Sequence, residues 1–192
     1  MEIDENAKSA WDEWELGEHL GSGHYGRVYK AKNKSRLVEM QSAIKIIAIP
    51  SEDDRARMNK LSEGERRRQV EELKNECVRE IEIMIQLGES PNVVRIGDYK
   101  VIENSDGTGY EIHIRIDLLS NLDAYIDEKT EDGRLPEGEI IKLGTDICSA
   151  LELCAAQKPP IVHRDIKYDN IPYHPRPTPH QKRKRPPRQP DL

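Results

Sequence analysis

Three glycines near the start of the chain are spaced as in a phosphate-binding loop. Residues Gly21-Ser22-Gly23-His24-Tyr25-Gly26 have the pattern GxGxxG. Glycine accepts positive φ, and without a Cβ it lets backbone N–H groups approach phosphate oxygens closely. An ordinary glycine-rich turn has the same composition, so the pattern alone leaves both interpretations open.

The residues after the glycines separate the known kinds of phosphate loop. In a dinucleotide-binding unit the third glycine opens a helix, whereas here Arg27–Ala31 indicates a strand. A Walker A loop ends in Gly-Lys followed by Ser or Thr, and this loop does not. Because Trp14–Leu20 also indicates a strand, the pattern is strand, glycine loop, strand. That is the arrangement found over the ATP phosphates of protein kinases.

A lysine between two isoleucines occupies the third predicted strand, Ser42–Ile49. Lys45 either extends to solvent along its aliphatic stem or reaches the α- and β-phosphates while a helix carboxylate holds it. A helix is predicted from about Val70 to Leu87. Its apolar residues repeat every three or four positions and form one face: Val70, Leu73, Cys77, Ile81 and Met84.

Three glutamates of this helix could pair with Lys45. Glu80 lies at the edge of the apolar stripe, where a partly buried carboxylate needs a cation. Glu76, one turn earlier, competes with it, and Glu82 is a weaker candidate. The run from Glu80 into Pro91-Asn92-Val93-Val94 is similar to a kinase helix C continuing into the next strand, which favours Glu80.

The strongest pattern in the chain is the segment His163-Arg164-Asp165-Ile166-Lys167-Tyr168-Asp169-Asn170. It resembles the H-R-D-x-K-x-x-N loop of serine/threonine protein kinases, except that Tyr168 stands where the family usually has proline. The resemblance implies that Asp165 accepts the proton of the substrate hydroxyl and that Lys167 steadies the transferred phosphoryl group. It also implies that Asn170 binds magnesium. A solvated polar turn is the alternative interpretation.

The likeness extends from about Trp14 to Ile171 and is greatest to the eukaryotic-type kinase domains of bacteria. It implies ATP and Mg2+ as cofactors. Asp117-Leu118-Leu119 is similar to the hinge whose backbone hydrogen-bonds adenine, with Ile116 in the gatekeeper place. The nucleotide-binding residues that the resemblance implies are Leu20, Gly21, Gly23, Gly26, Val28, Ala43, Lys45, Glu80, Asp117 and Leu119, with Tyr25 at the loop tip.

The fold class expected is α+β, with a kinase-like N-lobe of antiparallel strands and helix C, followed by the first part of the helical C-lobe. Val93–Glu103 and Tyr110–Leu118 indicate a hairpin around Asn104–Gly107. A short helix is predicted over Leu122–Glu128. A longer helix is predicted over Glu137–Ala156, with an apolar face left exposed by the absence of the rest of the lobe.

Three segments are expected: an acidic extension over 1–13, a partial kinase domain over 14–171 and a tail over 172–192. Seven of the twelve prolines fall in this tail, which therefore should be disordered. The chain has no Phe, and its last glycine is Gly144, so it contains no Asp-Phe-Gly motif. We therefore expect a kinase domain truncated after the catalytic loop.

Charge and composition exclude several other classes of protein. The net charge is −6, and the tail carries about +5, so the residues before it are strongly acidic. Nucleic acid is thus an unfavoured partner, although the basic tail could bind polyanions weakly. The chain has no run of about 18 apolar residues, so no membrane span is expected. The cytoplasm is the expected location.

The three cysteines are not spaced for zinc. We expect Cys148 and Cys154 to be buried, inert thiols, because both lie in an apolar helical pattern.

Three functions remain open on the sequence alone. The first is an ATP-dependent kinase that phosphorylates Ser or Thr hydroxyls of a protein substrate, with weak or no activity in this chain by itself. The second is a non-catalytic, pseudokinase-like nucleotide-binding or regulatory module, which the missing Asp-Phe-Gly favours. The third is an anion binder that uses the basic residues Lys182–Arg185.

Overall fold

The computed structural model describes residues 8–23, 26–122, 126, 134–164, 166–167 and 171–173. The elements, in chain order, are β1 (Trp14–Gly23), β2 (Gly26–Asn33), β3 (Gln41–Ile49), α1 (Glu52–Met58), α2 (Glu63–Leu87), β4 (Ile96–Glu103), β5 (Tyr110–Ile116), β6 (Ser120–Asn121), α3 (Glu137–Ala155) and β7 (Pro172–Tyr173). The fold is α+β, as the sequence predicts.

The first five strands form one antiparallel sheet in the order β1-β2-β3-β5-β4. The predicted hairpin is confirmed, because β4 and β5 pair and the Gly107 N–H donates to the Asn104 carbonyl at 2.8 Å. Gly107 has φ +68°, a conformation that favours glycine. The third strand is central, so both its edges pair with neighbouring strands.

Side chains alternate along β3, and the two faces of the sheet therefore carry two separate apolar cores. One face packs against α1 and α2 through a buried cluster comprising Ile49, Met58, Val70, Ile81, Ile96, Ile112 and Ile114. We call the opposite side the outer face. Its buried cluster comprises Trp11, Trp14, Tyr29, Ala31, Ile44 and Ile46.

Two capping boxes explain why the highly charged stretch Ser51–Asn75 is helical. Ser51 caps α1 with Asp54, and Ser62 caps α2 with Glu65, each through reciprocal side-chain and backbone hydrogen bonds. Helix α2 therefore begins at Glu63, one and a half to two turns before the expected start at Val70. It ends at Leu87 with Gly88 as its cap, as predicted.

The apolar stripe predicted for α2 is only partly buried. Val70 and Ile81 are buried and Leu73 and Cys77 are half-buried, but Met84 is 39% exposed. Leu87, which the prediction did not include, is buried instead.

The helix predicted over Glu137–Ala156 is confirmed as α3. Its apolar face was expected to be exposed, and this is half right: Ile140 and Leu151 are exposed, whereas Leu143 and Ile147 are half-buried. The prediction for the two cysteines was half right, because Cys154 is buried whereas Cys148 is exposed. Of the short helix predicted over Leu122–Glu128, only Leu122 and Ile126 are described, and both are helical.

Both ends of the predicted kinase segment differ in structure from what the sequence indicates. Trp11, placed in the acidic extension, is only 4% exposed and belongs to the outer-face core. Pro172 and Tyr173, placed in the disordered tail, form β7 and pair with β6. The prediction of disorder is thus wrong for these two residues. Residues 174–192, including the basic group Lys182–Arg185, lie outside the described part of the chain.

Candidate nucleotide and catalytic site

The glycine pattern lies at the tip of the β1–β2 hairpin, where Gly23 pairs with Gly26. A strand and not a helix follows the third glycine, which agrees with the predicted strand, loop, strand order. His24 and Tyr25 lie outside the described residues. The hairpin therefore has the architecture of a flap that could cover a phosphate chain from one side.

The first and the last glycine of the pattern are glycine for different reasons. Gly26 has φ +112°, and a Cβ there would lie 2.2 Å from the Ile46 carbonyl oxygen, so the fold itself excludes a side chain. Around Gly21 a Cβ would meet nothing within 4 Å. Packing does not require glycine at Gly21, whereas close approach of a phosphate would.

Lys45 lies at the centre of β3, opposite Val28 of β2 on one side and Ile114 of β5 on the other. It is half-buried and projects from the face that packs against α2, because its neighbours Ile44 and Ile46 occupy the outer face. Ala43 shares the Lys45 face and is buried opposite Ile116. The sheet thus brings Val28, Ala43 and Lys45 into one patch.

Burial lowers the pKa of the Lys45 ammonium, while Cys77 and Glu80 of α2 act in the opposite direction. Burial also raises the pKa of the Cys77 thiol, so that thiol is uncharged at neutral pH. The Glu80 carboxylate acts to raise the pKa of Lys45, which supports Glu80 among the three candidate glutamates. The choice among them remains a prediction.

Glu80 differs in one respect from its predicted environment. The residue is exposed, although its neighbour Ile81 is 3% exposed and packs in the core. The carboxylate thus acts on Lys45 from a solvated position, where a charge pair is weaker than in a buried one. Sequence analysis did not identify Cys77 as a neighbour of Lys45. The position of Cys77 in the apolar stripe, one turn before Ile81, could have indicated it.

The hinge segment follows β5 directly and leads to Leu122. Asp117 is exposed, and its N–H donates to the Arg95 carbonyl at 3.2 Å. Leu119 is half-buried, and Leu20 at the far end of β1 is 45% exposed. Open apolar surface at these positions is what a planar base would cover, but the adenine contacts implied by the resemblance remain predictions.

The predicted catalytic segment has no regular secondary structure over 161–164. It is tied to the end of α3, because the Ile161 N–H donates to the Cys154 carbonyl at 3.0 Å. Arg164 has φ +63°, a left-handed conformation that costs a non-glycine residue about 1–3 kcal/mol and is enriched at functional sites. No pattern in the sequence indicated this conformation. Lys167 is exposed.

Asp165 and Asn170, predicted as the catalytic base and the metal ligand, lie outside the described residues. Within the described ranges, no group of three His, Cys, Asp or Glu side chains could hold a metal ion. The metal site implied by the resemblance thus rests on residues of the 165–170 segment.

No helix among the described residues is both long enough and apolar enough to cross a membrane.

Comparison with known proteins identifies the family. The family model described as protein kinase domain matches residues 14–178. A probable serine/threonine-protein kinase of Dictyostelium discoideum is 28% identical over 183 residues, covering 89% of this chain and 21% of the relative. Calcium-dependent protein kinase 5 of Plasmodium berghei is 33% identical over 154 residues, covering 80% of this chain and 22% of the relative.

Cyclin-dependent kinase B2-1 of Arabidopsis thaliana is 28% identical over 166 residues, covering 86% of this chain and 46% of the relative. The chain therefore spans less than half the length of each of these three relatives. The matched residues include the glycine hairpin, the Lys45 strand, α2 and the catalytic segment. The chain belongs to the protein kinase family.

Proposed function

We propose that this chain binds ATP with Mg2+ beside β1, β2 and β3 and is the nucleotide-binding part of a protein serine/threonine kinase. The observation that carries the proposal is the half-buried Lys45, with Glu80 as its counter-charge, next to a glycine hairpin whose first glycine faces open space. A lysine ammonium desolvated on a strand gains from a phosphate, because charge-assisted hydrogen bonds are among the strongest in proteins.

Each part of the site has a distinct role in this proposal. The hairpin covers the phosphates with backbone N–H groups, and Lys45 neutralises the α- and β-phosphates while Glu80 keeps its ammonium in place. Magnesium, when bound, would neutralise charge on the β- and γ-oxygens, and Asn170 would hold part of it. Asp165 would accept the proton of the attacking Ser or Thr hydroxyl of a protein substrate, and Lys167 would steady the phosphoryl group.

The test of nucleotide binding is a titration with a fluorescent ATP analogue in the presence of magnesium. Lys45→Ala should weaken binding by about 1.5–3 kcal/mol, the value of a hydrogen bond to a charged group, which is roughly ten- to hundredfold in Kd. Lys32→Ala is the matched control, because Lys32 is an exposed lysine of the neighbouring strand, paired with Glu39. Equal affinity of the wild type and Lys45→Ala would remove the phosphate role of Lys45.

A second candidate function is a non-catalytic, nucleotide-binding module of kinase ancestry. The residues that follow Asn170 in this chain contain no Asp-Phe-Gly motif, which in protein kinases supplies the aspartate that holds the metal together with the catalytic-loop asparagine. We therefore expect this chain by itself to transfer no measurable phosphate from radiolabelled ATP to a basic acceptor protein. Clear transfer that is lost in Asp165→Asn would show that another carboxylate, such as Asp169, completes the metal site.

A further inference from the structure

The segment just before β1, residues 8–13, crosses the outer face of the sheet and is here called the N-terminal strap. Its Trp11 is 4% exposed, and the indole N–H donates to an Asp98 carboxylate oxygen at 2.8 Å. The Lys100 ammonium donates to the Ala10 carbonyl at 2.8 Å and lies 5.6 Å from the centre of the Trp11 ring. Three contacts of different kinds thus fix the strap to β4.

The strap connects the two opposite edges of the sheet. In the strand order β1-β2-β3-β5-β4, β4 is one edge, and β1, which the strap enters at Trp14, is the other. Along the way the Arg115 guanidinium of β5 lies 5.1 Å from the centre of the Trp14 ring, a cation–π distance. The strap therefore spans the sheet from edge to edge over the strands between them.

The strand under this cover is the one that carries Lys45. Ile44 and Ile46 are 0% and 3% exposed, and both belong to the same buried cluster as Trp11 and Trp14. Because side chains alternate along a strand, burying these two neighbours on the outer face directs Lys45 to the opposite face. The outer-face core thus lies directly behind Lys45, on the side of the sheet remote from the proposed nucleotide.

We propose that the N-terminal strap positions Lys45 for phosphate binding, with Trp11 as the positioning residue that acts through Ile44 and Ile46. The proposal rests on the proposed nucleotide-binding function and adds a determinant that lies before residue 14, where the family match begins. Loss of Trp11 would leave a cavity over β3, and the strand, while still paired to β2 and β5, could shift toward that cavity. The ammonium of Lys45 would then spend less time in the orientation that meets a phosphate.

The test compares Trp11→Ala with Trp11→Phe, which keeps an aromatic ring but loses the N–H bond to Asp98. Affinity for a fluorescent ATP analogue with magnesium is measured and expressed per folded molecule. The folded fraction comes from the emission of Trp14, the only other tryptophan in the chain. We expect Trp11→Ala to weaken binding roughly three- to thirtyfold, the range of coupling through packed side chains, and Trp11→Phe to recover most of it.

A second measurement does not depend on nucleotide binding. The rate at which an amine-reactive reagent labels Lys45 is followed by mass spectrometry, with the exposed Lys32 as the internal reference. Trp11→Ala should raise the labelling of Lys45 relative to Lys32. An unchanged ratio overturns the positioning role, and so does unchanged affinity per folded molecule. A wild-type chain that binds no nucleotide defeats the proposed function, while the labelling ratio still decides the inference.

Discussion

The sheet with α2 and the helix α3 both carry regularly spaced apolar residues, but they differ in how far those residues are buried. Apolar clusters cover both faces of the sheet, and Ile44 of β3 and Ile112 of β5 are both 0% exposed. In α3, Cys154 is the one buried residue among those described, while Ile140 and Ile141 are 56% and 61% exposed. Beyond α3, Val162 is 68% exposed. Periodicity predicts an apolar face, whereas burial requires a partner for that face.

The comparison predicts its largest effect on the stability of the sheet. Ile44→Ala should lower the free energy of unfolding by about 2–5 kcal/mol, because it leaves a cavity in a closed core. Ile140→Ala on α3 is the matched control and should cost less than about 0.5 kcal/mol, as for surface substitutions. Urea unfolding followed by tryptophan emission measures both. Similar losses for the two variants would mean that α3 is covered in solution.

The contact between α2 and the sheet should depend on a polar link at the start of β5. The Tyr110 hydroxyl donates to Glu71 at 2.9 Å, and Lys74 pairs with Glu71 while lying 4.9 Å from the Tyr110 ring centre. Tyr110→Phe should cost about 1 kcal/mol, the net value of one hydrogen bond. Tyr99→Phe is the control, because Tyr99 packs against the same core. Equal losses in both variants would argue against the link.

Acid should weaken the outer-face core through His113. This residue is 2% exposed, and its Nδ1 has no hydrogen-bond partner among the described residues. Burial lowers the pKa of His113 below its ordinary value of 6.5, and Glu111 only partly opposes this. The unfolded chain therefore binds the proton more readily. Stability should fall as the pH drops below 6.5 and should level off below the lowered folded-state pKa.

The test of this prediction takes account of the charged groups that face His113. Glu111 lies 3.4 Å from its Nε2, and Arg27 acts against its protonation. Thermal melts between pH 7.5 and 5.5 should show the loss in the wild type and a smaller loss in His113→Leu. His19→Leu is the control, since His19 lies near the glycine hairpin and away from β5. A pH dependence that His113→Leu leaves intact would assign it to other groups.

The smallest effect on folding is expected at the exposed face of α3. Ile141→Lys should leave the unfolding free energy within about 0.5 kcal/mol of the wild type, because no buried contact is lost. It should also reduce self-association, since an apolar face open to water promotes it. Light scattering across a concentration series measures this, with Lys142→Ala as the control. Persistent association of Ile141→Lys would place the contact elsewhere on the chain.

Much of the site follows from local sequence because its signals are short in range. The glycine hairpin, the strand around Lys45, the β4–β5 turn at Gly107 and the end of α2 at Gly88 are each set by residues within a few positions of one another. The choice of Glu80 over Glu76 also follows from its place beside the apolar stripe. The capping boxes at Ser51 and Ser62 were equally visible, and they would have located the helix starts.

Only the tertiary structure decided which segments of the chain cover each apolar face. Trp11 contacts Asp98 across 87 positions of sequence and Ala10 contacts Lys100 across 90, and no local pattern reports such contacts. For the same reason the sequence could not separate the buried Cys154 from the exposed Cys148. A periodic pattern fixes the direction in which a side chain projects from its own element. Whether water or another element meets it there depends on how distant segments pack.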